Sequence, residues 1–516
     1  MRAAVLALAA VLLIGTASPA RRVGIASSAS RLRADVTWLS ADARMGRDPA
    51  GSGYAQASAY VARAFAGAGL RPAGDSGFFQ PVPLVRYGVG GPVTATFMVP
   101  GRPVVTLRPG VDIYPEADPT APGQRVSAPV VFVGDGIVDA KGRDDYRGLD
   151  VRGRIVAVRF GGAGIDDPVD RAILWDIARK RRSARARGAI GMIGIHVADP
   201  GNASFATAGK VAAYPALGWR TNDGESGGGP AATPMLATIS EAGAAVLFGE
   251  DWQRRRGATL AGAVLTIASE TRIEPAPSRN VVAFLPGRDP HLAGETLVLS
   301  AHLDHIGVSA GPGDRINNGA LDNAIGVAVM LEAARNLARA HPRRSVLFVA
   351  LTGEEAGLLG SDYFAAHPPR GVGRIVADIN VDMPILTYRF ADMIAFGSDL
   401  STLGEPVRAV LEHAGVALSP DPEPGQAFFA RSDQMSFARR GVAAVMLWPG
   451  RQGAGAAATD AFLEHRYHRP SDDIAQPIAW AQAARYGAII TTIARRVGDA
   501  PQRPRFLDPR RFAPAG

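Results

Sequence analysis

The run Thr296-Leu297-Val298-Leu299-Ser300 leads directly into Ala301-His302-Leu303-Asp304, so an imidazole and a carboxylate leave a strand end together. A neutral imidazole in that place is a metal ligand, and the carboxylate beside it can fix the ring tautomer. Asp322 follows at the start of a helical pattern, between Gly319 and Gly326. It reads either as a helix cap or as a carboxylate shared by two cations, and the glycines would let backbone approach it closely. The apolar run Ser345 to Thr352 ends in Gly353-Glu354-Glu355. Neighbouring carboxylates after a buried strand repel each other, and a cation bound by one offsets that cost. The other is then free to take a proton from water, the division of labour that hydrolysis requires. Asp382 closes the next strand; Asp378 competes with it from the same face of a regular strand, and Asp382 is preferred because it lies nearer the strand end. In the loop Arg466-Tyr467-His468-Arg469-Pro470, His468 is the preferred ligand and His465 its rival, while His305, His341 and His367 are assigned to structural or solvent-exposed places. The set is two histidines and three carboxylates with a spare glutamate. Nitrogen and oxygen donors without thiolate suit two zinc ions, with manganese or cobalt as substitutes. If Asp322 is shared, the two ions would lie roughly 3.5–4 Å apart.

These residues must be held by the elements whose ends they occupy. From Asn280 to Arg496 apolar strand candidates alternate with helices: Val281 to Leu285, Thr296 to Ser300, Ser345 to Thr352, Ile375 to Val381 and Val442 to Leu447 are strands, and Ala324 to Ala340 and Trp480 to Val497 are helices. Near-continuous apolar strands separated by helices predict an α/β fold, a mostly parallel central sheet covered by helices on both faces. Ligands of such sheets sit beyond the carboxyl ends of the strands, where the histidines and carboxylates fall.

Together His302-x-Asp304, Asp322-Asn323, Glu354-Glu355, Asp382-Met383 and Tyr467-His468 resemble the motif series of metallopeptidase family M28, the co-catalytic di-zinc aminopeptidases, with their zinc exopeptidase fold. The resemblance implies that His302, Asp322 and Asp382 hold one zinc, that Asp322, Glu355 and His468 hold the other, that Glu354 is the general base and that Asp304 orients His302. It also marks Arg431-Ser432-Asp433-Gln434, where Gln434 replaces a commoner His; Ile325 and Pro384 are milder departures. Arg431, Asp433, Phe428 and Phe429 are candidates for the substrate-binding surface, the two phenylalanines as an apolar wall. The implied activity is removal of N-terminal residues from peptides. The alternatives are a carboxypeptidase or dipeptidase of the same family, with Arg431 gripping a terminal carboxylate, a glutaminyl cyclase-like transferase, or a receptor-like protein without catalysis.

The rest of the chain sets the context. Residues 1 to 20 read as a secretory signal, with Arg2 before an apolar stretch and Ser18-Pro19-Ala20 at the cleavage site, so the protein is expected to be exported to the periplasm or the extracellular space, with no stable membrane span after cleavage. Residues 21–124 are assigned to the N-terminal part of the peptidase domain, with a helical pattern from Leu32 to Leu70. Residues 125–255 resemble an inserted, β-rich protease-associated domain whose Arg179-to-Arg187 helix is read as a solvated basic face. Residues 256–500 form the catalytic domain and 501–516 a flexible tail rich in Pro and Arg. Cys is absent, which excludes disulfide scaffolds, iron–sulfur proteins and thiolate zinc fingers. The net charge of +8 comes from scattered Arg, so nucleic acid is not an expected partner, and peptides are the partners that the resemblance implies. Oligomeric state is left open.

Overall fold

The computed structural model describes residues 27–512 apart from 161–163, 199–202, 228–231, 255 and 259–260, so the signal segment lies outside the described residues. Every strand foreseen between 280 and 450 forms. The sheet runs in the order 71–72, Ser278–Leu285, Ser345–Leu351, Glu295–His302, Arg374–Asn380, Ala443–Pro449, Asp392–Phe396, Ala417–Ser419, and Phe79–Val82 also pairs with Ser278–Leu285. The four strands from Ser345–Leu351 to Ala443–Pro449 are mutually parallel. Ser278–Leu285 and Asp392–Phe396 flank them antiparallel.

Side-chain alternation explains why both faces are covered. Leu297, Leu299 and Ala301 share a core with Phe348, Ile379, Val36, Phe65, Leu331 and Ile493, while Val298, on the other side of the pleat, packs with Leu347, Val349, Phe364 and Phe437. Burial of each such side chain contributes about 1.5–3 kcal/mol. The helices Ala29–Leu39, Ser52–Gly67, Ile325–Ala338 and Trp480–Asp499 supply the first face. Leu359–Ala366 and Gln434–Ala438 cover the second.

The helical pattern from Leu32 to Leu70 is broken, unlike the continuous reading. Met45, Gly46 and Arg47 adopt positive φ between two helices, and a Cβ at Gly46 would lie 2.3 Å from the Gly307 carbonyl oxygen. The break lets the fully buried Arg47 guanidinium reach the backbone carbonyls of Leu39, Leu303, Asn318 and Gly319. Burial lowers its pKa to about 10 while Asp322, Asp472, Asp304 and Glu355 oppose that shift. One buried cation thus ties together the two loops that carry His302 and Asp322.

The inserted unit is larger than 125–255. Its two sheets use strands from Leu84–Val89 through Val264–Pro275, and the long Val264–Pro275 strand pairs with Leu84–Val89, Thr94–Met98 and Gly123–Ala128. The strands Leu84–Val89, Thr94–Met98, Gly123–Ala128 and Val264–Pro275 thus lie in a sheet apart from the nine-stranded one. Its basic helix, Ile177–Ala186, is not a solvated face: Lys180 is buried and Arg181 donates to the Thr233 carbonyl at 2.6 Å. The insert docks on the peptidase unit through Trp219 Nε1 to Asp362 (3.0 Å), Arg439 to Asp176 (3.0 Å) and His367 to Glu225 (3.0 Å).

The segment 501–512 is ordered, which corrects the flexible-tail reading. The Leu507 amide donates to the Leu400 carbonyl at 2.9 Å, and Phe506 and Phe512 are buried against each other with ring centroids 4.3 Å apart. Two aromatic side chains outweigh the Pro- and Arg-rich composition around them. Among the described residues no helix is long and apolar enough to cross a membrane.

Candidate active site

The strand Glu295–His302 pairs with Ser345–Leu351 on one side and Arg374–Asn380 on the other, so the chain order reverses about it. That reversal opens a crevice at the carboxyl ends of the three strands. His302 ends the central strand, Glu354 and Glu355 follow the second and Asp382 follows the third. His302 Nε2 stands 2.9 Å from Asp382 Oδ1 and 3.3 Å from Asp322 Oδ1. His468 Nε2 stands 2.9 Å from Glu355 Oε2 and 3.4 Å from Asp322 Oδ2. The two oxygens of Asp322 therefore face different histidines, the arrangement expected of a shared ligand. The helix-cap alternative does not form: the helix Ile325–Ala338 has Ala324 at its N-cap, and the Asp322 carboxylate faces the two histidines instead.

The loop that presents Asp322 is held from several directions. The Leu321 and Asp322 amides each donate at 3.0 Å to the Asp472 carboxylate. Asn323 Nδ2 donates to the Val381 carbonyl at 2.9 Å, and its Oδ1 accepts from the Gly326 and Met383 amides at 3.1 Å each. A Cβ at Gly326 would lie 2.0 Å from Asn323 Oδ1, so only glycine fits there. Trp448 Nε1 donates to the Asp382 carbonyl at 2.7 Å and fixes the third strand end.

Electrostatics point to a cation site. Burial alone would lower the His302 and His468 imidazoles, but Asp382, Glu354 and Asp322 raise His302 well above its ordinary value, and Asp322 with Glu355 raises His468 to about 10. Against its own burial, Asp322 is held well below the carboxylate range by the two imidazoles. The protein has converged four carboxylates on three imidazoles, those of His302, His468 and His305, and positive charge between the carboxylates removes their repulsion. The side-chain groups His302–Asp322–Asp382, His302–Glu354–Glu355 and His305–Asp322–Glu355 each bring their ligand atoms within 4.8 Å of one another. Imidazole nitrogens and carboxylate oxygens on buried, hydrogen-bonded backbone fit a divalent transition metal.

The roles within this set differ in part from expectation. Asp304 does not orient His302 through its carboxylate: His302 Nδ1 is 3.2 Å from the Asp304 backbone oxygen and 4.0 Å from Oδ1. The Asp304 carboxylate instead accepts the amides of Glu354 at 3.2 Å and Glu355 at 3.3 Å, and burial raises its pKa to about 7. Asp378 is in none of the three candidate metal-binding groups and lies inside the sheet, accepting from Ser300 Oγ at 2.8 Å. His465 is exposed beside Glu464, and His341 Nδ1 donates to the Pro286 carbonyl at 2.8 Å. Of the two places expected for His305, the exposed one is excluded: the ring is fully buried in the site, with Nδ1 2.6 Å from Glu355 Oε1.

A cavity of about 510 Å³ opens over these groups. Glu354 lines it, and burial, with Asp382 and Asp433 nearby, raises its carboxyl well above the ordinary range. Phe428, Met446, Trp448, Leu463 and Tyr467 form an apolar wall, with Phe428 and Trp448 ring centroids 4.9 Å apart. Arg431 stands at the rim with its guanidinium 5.4 Å from the Phe428 ring centre. Phe429 and Asp433 do not line this cavity. Phe429 is buried against Phe512, 6.0 Å between centroids, and Asp433 is fully buried behind Glu354. Gln434 is structural: its Oε1 accepts from Asn380 at 2.7 Å and its Nε2 donates to the Phe429 carbonyl at 2.6 Å.

Residues 280–494 match the model of Peptidase family M28. The chain is 34% identical over 211 residues to an aminopeptidase of Pseudomonas aeruginosa strain UCBPP-PA14, covering 38% of this chain and 37% of that one. It is 30% identical over 211 residues to leucine aminopeptidase 2 of Trichophyton rubrum, covering 38% and 40%. These matches span well under half the length of either relative. The fold is similar to that of the aminopeptidase from Aneurinibacillus sp. strain AM-1, with a TM-score of 0.51 at 19% identity over 92% of this chain and 95% of that one.

Proposed function

We propose that this chain is an exported, zinc-dependent aminopeptidase that removes N-terminal residues from peptides. The observation that carries the reading is Asp322 with one oxygen toward His302 and Asp382 and the other toward His468 and Glu355, while Glu354 is left for proton transfer on the cavity wall. His302, Asp322 and Asp382 would hold one zinc and Asp322, Glu355 and His468 the other. The bound ions would supply Lewis acidity toward the scissile carbonyl and acidify a water molecule. Glu354 takes the proton of the attacking water and passes it to the departing amine, so that the amide bond breaks into a carboxylate and an amine. Asp304, which receives the amides of Glu354 and Glu355, keeps base and ligand in register.

The lining of the cavity favours a free amino terminus. Arg431 is the one lysine or arginine among the described cavity residues, whereas Glu423 and the acidic floor suit an α-ammonium group. Phe428, Trp448 and Leu463 offer apolar surface to the first side chain. Arg431 keeps a second reading in play, capture of a terminal carboxylate by a carboxypeptidase or dipeptidase. Export rests on the signal-like residues 1 to 20, and we read the insert as a protease-associated domain. Cleavage of leucine 4-nitroanilide tests the metal requirement: activity is expected to vanish after chelation and to return with two equivalents of zinc per chain. Full activity in the chelated, metal-free protein would contradict it.

A further inference from the structure

His305 is the buried histidine that neither half of the ligand set uses. Its backbone amide donates to the Arg47 carbonyl at 3.2 Å, which anchors the residue beneath the site. Its ring meets the His468 ring edge to face, with centroids 5.7 Å apart. Gly319 makes room for it, since a Cβ there would come within 2.7 Å of His305 Cδ2. Nδ1 lies 2.6 Å from Glu355 Oε1 and 3.9 Å from Asp322 Oδ2, and Nε2 has no hydrogen-bond partner among the described residues.

The two oxygens of Glu355 thus have separate partners: Oε1 meets His305, and Oε2 lies 2.9 Å from His468 Nε2. A separation of 2.6 Å is that of a direct hydrogen bond and leaves no room for an ion between Nδ1 and Oε1. Resting on the two-zinc reading above, we infer that His305 is a positioning residue for the second zinc: Nδ1–H donates to Glu355 Oε1 and keeps Oε2 turned toward His468 and the ion. A carboxylate free to rotate would present either oxygen, or both, and the ordering would have to be supplied on binding. A hydrogen-bonded partner of a ligand typically changes metal affinity 10–100-fold when removed.

The position of the donor makes the test specific, because an Asn amide nitrogen can occupy the place of His Nδ1, whereas a Gln amide reaches the place of Nε2. Zinc retained by the full-length wild type, His305→Ala, His305→Asn and His305→Gln is measured against graded chelator, alongside the thermal unfolding of each zinc-free protein and the visible spectrum of each cobalt-loaded form. The wild type is expected to hold two ions. His305→Ala and His305→Gln are expected to hold the first ion as the wild type does and to bind the second about 10–100-fold more weakly. His305→Asn is expected to recover most of that loss, and the fully loaded cobalt spectra should coincide. A second-site affinity in His305→Ala within twofold of wild type, or equal loss in the Asn and Gln variants, would overturn the inference. A cobalt spectrum showing one fewer nitrogen ligand would overturn it too, by making His305 a ligand itself. A wild-type chain that holds a single ion overturns the two-zinc reading and this inference with it, and that outcome is visible before any variant is compared.

Discussion

Glu354→Gln is expected to retain both zinc ions and to lose roughly 10²–10⁴-fold in kcat, the range associated with removal of a general acid–base group. The substitution preserves shape and hydrogen-bonding size but removes the ability to accept a proton. Glu354 stands in neither close histidine–carboxylate pair, so the metal should survive its loss. Its place on the cavity wall is fixed from behind, since Asp304 holds its amide. Burial favours its neutral form, and two nearby cations would draw it back toward the carboxylate, which places a base near the operating pH. Metal analysis and steady-state kinetics on the same preparation check the result. Turnover within tenfold of wild type would remove Glu354 from this role, and loss of zinc would make it a ligand.

Asp322→Ala is expected to do the opposite, abolishing metal retention at both sites and with it all measurable cleavage. The residue contributes one oxygen to each half of the site, so its removal leaves His302 with Asp382 alone and His468 with Glu355 alone. Two protein donors fall short of the three that catalytic zinc sites ordinarily have. The chain should still fold, because the surrounding loop is held by its backbone amides on Asp472 and by Arg47, and not by the Asp322 side chain. Added zinc should therefore raise the unfolding temperature of the wild type, as any ligand of the native state does, and leave that of Asp322→Ala unchanged. Two full zinc equivalents in the variant would refute the shared-ligand arrangement.

How far the site could be read in advance follows from where its parts lie along the chain. His302, Glu354, Glu355 and Asp382 sit at strand ends, where apolar patterning locates them, and proximity to the strand end separates Asp382 from Asp378. Their supports were not legible in that way. Arg47 reaches the Leu303 carbonyl across 256 residues and Asp472 reaches the Leu321 amide across 151, and no spacing rule connects such pairs. His305 stood beside a ligand in plain view, but a second histidine in a loop carries no sign of whether its ring turns toward a carboxylate or toward water. Only the packing beneath it, with Arg47 and Gly319, turns it inward.

The insert and the tail show the same boundary between local and distant information. The strands Thr94–Met98 and Gly123–Ala128 join the insert through pairing with Val264–Pro275, far along the chain. Lys180 lies in a run of charges that reads as solvated, yet it is enclosed near Asp135 and Asp145, which oppose the lowering of its pKa to about 8 by burial. Composition describes residues 501–516 as a flexible tail, whereas Phe506 and Phe512 find the hydrophobic surface beside Phe429.

The most direct measurement is mass spectrometry of one unblocked peptide and its N-acetylated twin after incubation with the purified protein, with and without a chelator. Stepwise loss of residues from the free amino terminus, abolished both by acetylation and by chelation, is the predicted result. Trimming from the carboxyl end of both peptides, or equal cleavage with the metal removed, would contradict it.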